Sequence, residues 1–497
     1  MRILVPRLGR GESGPGRPRP GPLFLAVLLV LGAATCRRPP ADPDAPAEAL
    51  RLIDRALASS EAEKDLFDLC DRFEDRVSGS RGSEAAGWWL VRRLREAGLD
   101  TVQAESFPLA EPWIPGREEA ECTDPVAFPV RVAAVPGSPE TPSPELPLRV
   151  APLAGPDADP GSAVALFATP RLPSAGQVDV KALREAVSQA ARAGYRALLI
   201  QSALPGRTLF RVRVAPLGGL PLPVAIAARE DFERLARLNA ASPVRIRLRL
   251  EPSHEKPADG LNVVGEIRGR EVPEEIVLLG AHYDAWDLGA GAQDNAVNVA
   301  LVLDVARGFR ELGLTPRRTV RFVLFSGEEQ DRQGSAAYVD AHEAELDRHA
   351  LALFFDLGGG KINGFYFNGR RELAGLFIEA MRPFPAFRSF RPLNLVYSGT
   401  DNLDFLLAGV PNVVAATDLE PYAPVYHSEL DLPGAIDPQA LRRNVAFASA
   451  IAWQLADRAG RPAERLGPDA TRALVERLGI GREIEGTWRQ DRLRARR

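Results

Sequence analysis

Apolar and polar positions change their period several times along the chain, and the changes mark out its elements. From Asn262 onward the runs Val263–Ile267, Ile276–Ala281, Thr319–Phe325 and Ala350–Phe355 are nearly continuous in apolar residues, as in IVLLGA and LALFF. Strands apolar on both sides belong in the middle of a sheet that helices cover on both faces. Asn295–Leu312, Gly334–Ala344 and Pro438–Ala456 read as the covering helices. The expected architecture is α/β, a mixed central sheet with helices on both faces.

Upstream, residues 46–62 and 78–98 read as helices, the second with a stripe of Leu90, Val91 and Leu94 and with Trp88 at its edge. Thr101–Phe107 follows as a short strand. The stretch from Pro125 to about Glu251 differs in character: strands at Ala163–Ala168, Ala197–Ile200 and Val224–Ala227 alternate with helices at Lys181–Ala191 and Glu230–Asn239. Proline-rich runs at Pro136–Pro147 and Pro252–Pro257 border it, as expected for a compact inserted α/β unit. The expected division is 1–36 as an export segment, 37–125 and 254–460 as two parts of one domain, 126–253 as the insertion, and 461–497 as a charged appendage. That appendage is expected to hold one helix at Ala470–Leu478, and Arg489–Arg497 to be a solvated charge run, with a weak contact patch as the alternative.

Composition narrows the function classes. A chain of 497 residues with 45% hydrophobic and 26% charged residues is not disordered throughout. A formal charge of -4 and a pI near 5.9 supply no positive field for nucleic acid, which is excluded as a partner. Residues 23–34, LFLAVLLVLGAA, follow Arg2, Arg7, Arg10, Arg17 and Arg19. The run is too short to span a bilayer and fits the core of an export signal, so the protein is expected to be secreted, periplasmic or held at the cell envelope. Cys36 just after it leaves a lipid anchor, plain cleavage and retention as a membrane stub as alternatives. Cys70 and Cys122 would then remain, as one disulfide or as two buried thiols.

Reactive groups on an α/β sheet belong where strands end and loops begin. His282 follows IVLLGA, Asp294 follows the turn GAGAQ, Glu328 and Glu329 follow VRFVLFSG, Asp356 follows LALFF, and His427 lies in PYAPVYHSELD. Imidazole and carboxylate are zinc ligands, and an aspartate can face two cations with its two oxygens. Two adjacent buried glutamates would repel each other unless cations share their site. The set therefore suggests two zinc ions around Asp294, with Asp356 and His282 on one side and Glu329 and His427 on the other, although sequence leaves that pairing open. Glu328 is then the base toward a metal-bridging water. Of five histidines, His254, His342 and His349 form no competing motif and are expected to be structural or exposed.

HYDAWDLGAGAQDN, FSGEEQ, FFDLGG and PVYHSELD resemble the co-catalytic zinc aminopeptidase and glutamate carboxypeptidase superfamily. With RVSGSRGSEAAGWWLVRRLREAGLD, the pattern over residues 60–457 resembles its secreted carboxypeptidase Q branch. The resemblance implies two zinc ions held by His282, Asp294, Glu329, Asp356 and His427, Glu328 as base, and Asp284 orienting the His282 ring. It also implies a protease-associated insertion, exopeptidase or dipeptidase action on short free-ended peptides, and a homodimer as one assembly of this type. Asn295 departs from the branch, which usually has an acidic residue there, and shifts weight toward aminopeptidase activity. Tyr426 is read either as an oxyanion donor or as a packed turn residue, and Asp401 either as a substrate-amine contact or as a loop cap. Two other functions stand beside the peptidase: a zinc amidohydrolase of N-acyl amino acids, and an inactive metal-containing binding protein.

Overall fold

The computed structural model describes residues 45–73, 75–142, 148–153, 159–169, 179–214, 219–387, 391–482, 484–485 and 487–495. The apolar run at 23–34, Cys36 and the joint at Arg37–Pro43 lie outside them. Among the described residues, no helix is long and apolar enough to cross a membrane.

The first expected helix, 46–62, is α1 (Ala47–Ser59), and a further helix that was not expected, α2 (Ala62–Arg72), follows it. Ser60 is extended, with ψ 133°, and breaks the path, while Leu66, Leu69 and Cys70 form the buried stripe of α2. α3 (Arg81–Glu96) starts three residues later than expected because Ser80 caps it, accepting a 3.0 Å hydrogen bond from the Ser83 amide. Its buried face carries Trp89, Leu90, Val91 and Leu94, and Trp88 is exposed.

After β1 (Thr101–Phe107) the chain builds a sheet from β2 (Arg117–Asp124), β3 (Phe128–Pro129), β4 (Val132–Ala134), β5 (Leu148–Pro152), β6 (Ala163–Phe167), β7 (Ala197–Gln201), β8 (Val224–Ala227) and β9 (Arg245–Glu251). The order is β3-β2-β9-β5-β6-β7-β8-β4. α4 (Val180–Ala193) buries Leu183 and Val187 against one face, and α5 (Arg229–Asn239) buries Phe232 and Leu235 against the other. Five of these strands, β2 to β5 and β9, were not expected from the apolar pattern. β2 and β9 alternate charged and apolar residues, REEAECTD against RIRLRLE, and β2 already joins this sheet before residue 126. Cys70 in α2 and Cys122 in β2 are both buried and free, so the disulfide alternative is not realised.

The chain then returns as β10 (Gly260–Ile267), β11 (Val272–His282), α6 (Val297–Glu311), β12 (Arg318–Phe325), α7 (Gln333–Ala341), β13 (His349–Phe354), β14 (Ile362–Tyr366), α8 (Arg371–Met381), β15 (Arg391–Leu393), α9 (Asn402–Leu407), β16 (Asn412–Thr417) and α10 (Pro438–Asp457). These strands and β1 form a mixed sheet in the order β1-β10-β12-β11-β13-β16-β14-β15. β12, β11, β13 and β16 run parallel at its centre; the first three are expected apolar runs, and β16 was not expected. One face is covered by α1, α2, α6 and α10, whose side chains share a core with Leu279, Phe322 and Leu353. The other packs on α7 and α9 through Tyr338, Val339 and Phe405. Because the central strands are parallel, the loops that follow them meet at one edge.

α11 (Pro468–Leu478) and α12 (Trp488–Ala495) follow. Leu403, Leu406 and Leu407 of α9 pack with Val475, Ile480 and Ile484. The expected solvated run is corrected at its first residue: Arg489 is 2% exposed, because it is drawn into a set of carboxylates and carbonyls near the loop after β12.

Candidate metal centre

Three neighbouring strands deliver side chains to one point. β11 ends on His282, which pairs in register with Phe325, the last residue of β12. Glu328 and Glu329 follow β12, and Asp356 follows β13 by two residues. Asp294 comes from the turn Ala292–Ala296 before α6, where it and Asn295 are non-helical. That turn starts at Gly291, φ 56°, where a Cβ would lie 2.3 Å from the Ala285 Cβ. Only glycine fits there.

The structure brings His282, Asp294 and Asp356 into one triad and Asp294, Glu329 and His427 into a second, with candidate ligand atoms in each within 4.8 Å of one another. Asp294 belongs to both, and its two oxygens are divided between them. Oδ1 lies 3.2 Å from His282 Nε2, and Oδ2 lies 3.2 Å from His427 Nε2. Asp356 Oδ1 stands 2.9 Å from His282 Nε2, and Glu329 Oε2 stands 3.0 Å from His427 Nε2. Glu328 lines the adjoining cavity together with Glu329, Tyr426 and His427.

The segments that carry these side chains are held from behind by hydrogen bonds. Asp284 Oδ2 accepts the Ser78 hydroxyl at 2.6 Å, and its two oxygens accept the backbone N–H groups of Glu328 and Glu329 at 3.2 Å each. The Asp284 carboxylate thus anchors the glutamate turn, while His282 Nδ1 is nearer the Asp284 carbonyl, 3.0 Å, than that carboxylate, 3.6 Å. Asp431 accepts the amides of Gln293 and Asp294 at 2.6 and 3.1 Å, and Tyr422 donates to Asp294 Oδ2 at 2.7 Å. Arg76 donates to the carbonyls of Tyr283, Ala290 and Gly291 at 2.8 to 3.0 Å. Asn295 donates to the Phe355 carbonyl at 2.9 Å, directly before Asp356. Sequence reasoning missed Asp431, Tyr422 and Arg76 as individual residues, although Asp431 and Tyr422 lie in PYAPVYHSELD and Arg76 opens RVSGSRGSEAAGWWLVRRLREAGLD.

Tyr426 stacks on the His427 ring at 3.7 Å and is 39% exposed at the cavity wall. Asp401 precedes α9 but makes no capping hydrogen bond, and both of its carboxylate oxygens are buried without a hydrogen-bond partner. His427 has φ 54°, a left-handed backbone that costs a side-chain-bearing residue about 1–3 kcal/mol. Its carbonyl accepts the Arg211 amide at 2.9 Å, and Trp286 meets its ring edge-on.

The electrostatics follow from burial among like charges. Burial holds Glu328 well above the usual carboxylate range, and Asp356, Glu329 and Asp401 reinforce this against the pull of His282. Burial likewise raises Glu329 and Asp401 to about 7 each. Asp294 goes the other way, because His282 and His427 outweigh its burial and hold it below the usual range. Burial opposes protonation of His427, yet Glu329 and Asp294 raise it to about 10.

Such a donor set fits a pair of divalent ions. Its first members are two imidazoles and three carboxylates, no Lys or Arg is among them, and Glu329 Oε1 is buried with no hydrogen-bond partner. Zinc prefers nitrogen and carboxylate oxygen donors of this kind, three per ion at a site that leaves room for substrate.

Comparison with known proteins agrees with this geometry. Residues 262–452, which contain every residue of both triads, match peptidase family M28. The chain is 27% identical over 410 residues to carboxypeptidase Q of Bos taurus, covering 78% of this chain and 84% of that one. It is 28% identical to the solved peptidase M28 precursor of Shewanella amazonensis, with TM-score 0.74 over 84% of this chain and 97% of the other. The zinc aminopeptidase BSAP of Bacillus subtilis shares the fold at 20% identity and TM-score 0.64, covering 82% and 98%.

Proposed function

From the premise that the chain belongs to peptidase family M28 and is a metallopeptidase related to carboxypeptidase Q, we propose a two-zinc exopeptidase that cleaves dipeptides or short free-ended peptides. One ion would be held by His282, Asp294 and Asp356, the other by Asp294, Glu329 and His427. The observation that carries the reading is the division of the two Asp294 oxygens between His282 and His427. A bound pair of ions supplies Lewis acidity, polarising a carbonyl and making water acidic enough to lose a proton near neutral pH.

The chain's own groups supply the rest. Glu328 takes the proton of the attacking water and returns it to the leaving amine; its burial makes the carboxylate a stronger base for the uptake. Asp284 holds the Glu328 and Glu329 amides, so that base and ligand keep a fixed separation. The cavity of about 450 Å³ beside them suits a substrate of a few residues. Phe210, Arg211 and Val212, which also line it, belong to the stretch carrying the second sheet, which we read as a protease-associated insertion over 126–253 that narrows access. Export by a segment ending near Cys36 is inferred from the apolar run alone and is tested by mass spectrometry of the mature N-terminus.

The deciding experiment measures zinc per chain and hydrolysis of free dipeptides beside N-acyl amino acids. Two zinc ions with dipeptide turnover are expected. Faster N-acyl hydrolysis would replace the substrate class, and two ions without turnover of either would make this a binding protein.

A further inference from the structure

We propose that Arg489, in the C-terminal segment beyond the matched region, is a positioning residue for the Glu328–Glu329 turn, and that this segment forms part of the substrate cavity. The inference rests on the roles proposed for those two glutamates.

The turn after β12 is unusual in its backbone. Gly327, Asp331 and Arg332 have φ of 79°, 81° and 55°. Two consecutive left-handed residues with side chains persist only where their surroundings fix them. Within the turn, the Arg332 amide bonds the Glu328 carbonyl and the Gln333 amide bonds the Gly327 carbonyl, both at 2.9 Å. These bonds close the loop but leave the Asp331 carbonyl to an outside donor.

Arg489 is that donor. Its Nη2 gives a 2.6 Å hydrogen bond to the Asp331 carbonyl, and its Nη1 lies 3.0 Å from Asp331 Oδ2. The other edge of the guanidinium meets Asp404 of α9, with Nε and Nη2 each 3.1 Å from a carboxylate oxygen. One planar group therefore fastens the turn that carries Glu328 and Glu329 to a helix of the main sheet's covering layer. The planar fork of arginine can serve both partners at once, which the single ammonium of lysine cannot.

The burial makes a purely structural reading insufficient. Val475, Ile480 and Ile484 already pack against α9 and hold the segment in place without any charge. Burying a guanidinium beside them is costly unless its partners need it, and two of those partners lie two and three residues beyond Glu329. Thr487, two residues before Arg489, lines the cavity together with Glu328, Glu329 and His427. The segment thus reaches the site at two points.

The test uses the full-length, zinc-loaded protein carrying Arg489→Ala, Arg489→Lys, or Arg489→Ala with Asp404→Asn, the last removing the carboxylate that would otherwise be left buried and unpaired. Hydrogen exchange at the amides of residues 328–333 reads the turn directly, and the amides of 282–286 serve as control. Expected is faster exchange at 328–333 alone in the Ala variants, with kcat down roughly 10- to 100-fold and KM within about threefold. Arg489→Lys should recover part of both. Unchanged exchange at 328–333 in a folded variant, or kcat within twofold of the parent, overturns the proposal. If the parent hydrolyses no peptide, the functional reading fails instead, and exchange alone decides whether Arg489 holds the turn.

Discussion

Asp294 is the residue on which the proposed centre turns, because one carboxylate faces both histidines. Asp294→Asn replaces an oxygen by an amide nitrogen that cannot ligate a cation, so it should lower retention of both ions, whereas His427→Ala should lower that of one. Zinc analysis after dialysis distinguishes them, and a full complement in Asp294→Asn would rule out the shared ligand. The neighbouring glutamates separate in the same way. Glu328→Gln keeps the size of the side chain and removes the base, so zinc content should hold while kcat falls by roughly 10² to 10⁴. Glu329→Gln should weaken zinc retention. Single-turnover assays at saturating zinc, paired with metal analysis, check both.

Elements are tied together by polar groups that local patterning does not announce. His342, at the end of α7, sits 3.0 Å from Glu105 of β1 and 2.6 Å from Glu345. Burial works against its protonation, but these two carboxylates outweigh it and raise it to about 9. The folded value lies above the unfolded value of about 6.5, so the stabilisation is fully present below pH 6.5 and lost as pH climbs through 9. Partial exposure of the cluster limits it to the order of 1–2 kcal/mol. His342→Gln should therefore lower the urea midpoint at pH 6 and leave it nearly unchanged at pH 10. A constant difference across that range would remove the ionic contribution. His349, at the start of β13, is a fully buried partner of the Tyr338 hydroxyl at 2.9 Å, and burial lowers it to about 3.

The whole molecule depends on how its two sheets meet. Arg211, 1% exposed, comes from the stretch between β7 and β8 of the second sheet and pairs with Asp287 in the loop after β11. It also pairs with Glu118 of β2 at 3.0 Å and stacks over Trp113, which leans on Trp286 beside His427. Arg131 reaches Glu429 at 2.6 Å, two residues past His427. The second sheet therefore supports the turn that presents His427. Removing one partner of a buried pair is strongly destabilising, so Arg211→Met should cost about 3 kcal/mol of unfolding free energy. It should also lower kcat/KM for dipeptides, because the His427 turn loses its backing. Thermal unfolding and dipeptide kinetics test this together, and a stable variant with parental kcat/KM would free the centre from the second sheet.

Much of this was determined by the sequence itself. The apolar runs before His282, Glu328 and Asp356 predict central strands in a covered sheet, since burial on both faces is written into consecutive residues. Strand ends then pick out the candidate groups. The charged strands β2 and β9 escaped because their alternation exposes one face to water and carries little apolar signal. α2, beyond the end of the first expected helix, escaped because charged residues interrupt its short apolar stripe of Leu66, Leu69 and Cys70. Only tertiary structure decided that Asp356 stands with His282 and Glu329 with His427, that Asp284 bonds the glutamate turn, and that Arg489 lies buried rather than solvated. Periodicity reports whether a residue faces a core, but a charged side chain's partner is chosen by the fold. Arg489 and Asp331 are 158 residues apart, and no local pattern encodes a contact across that distance.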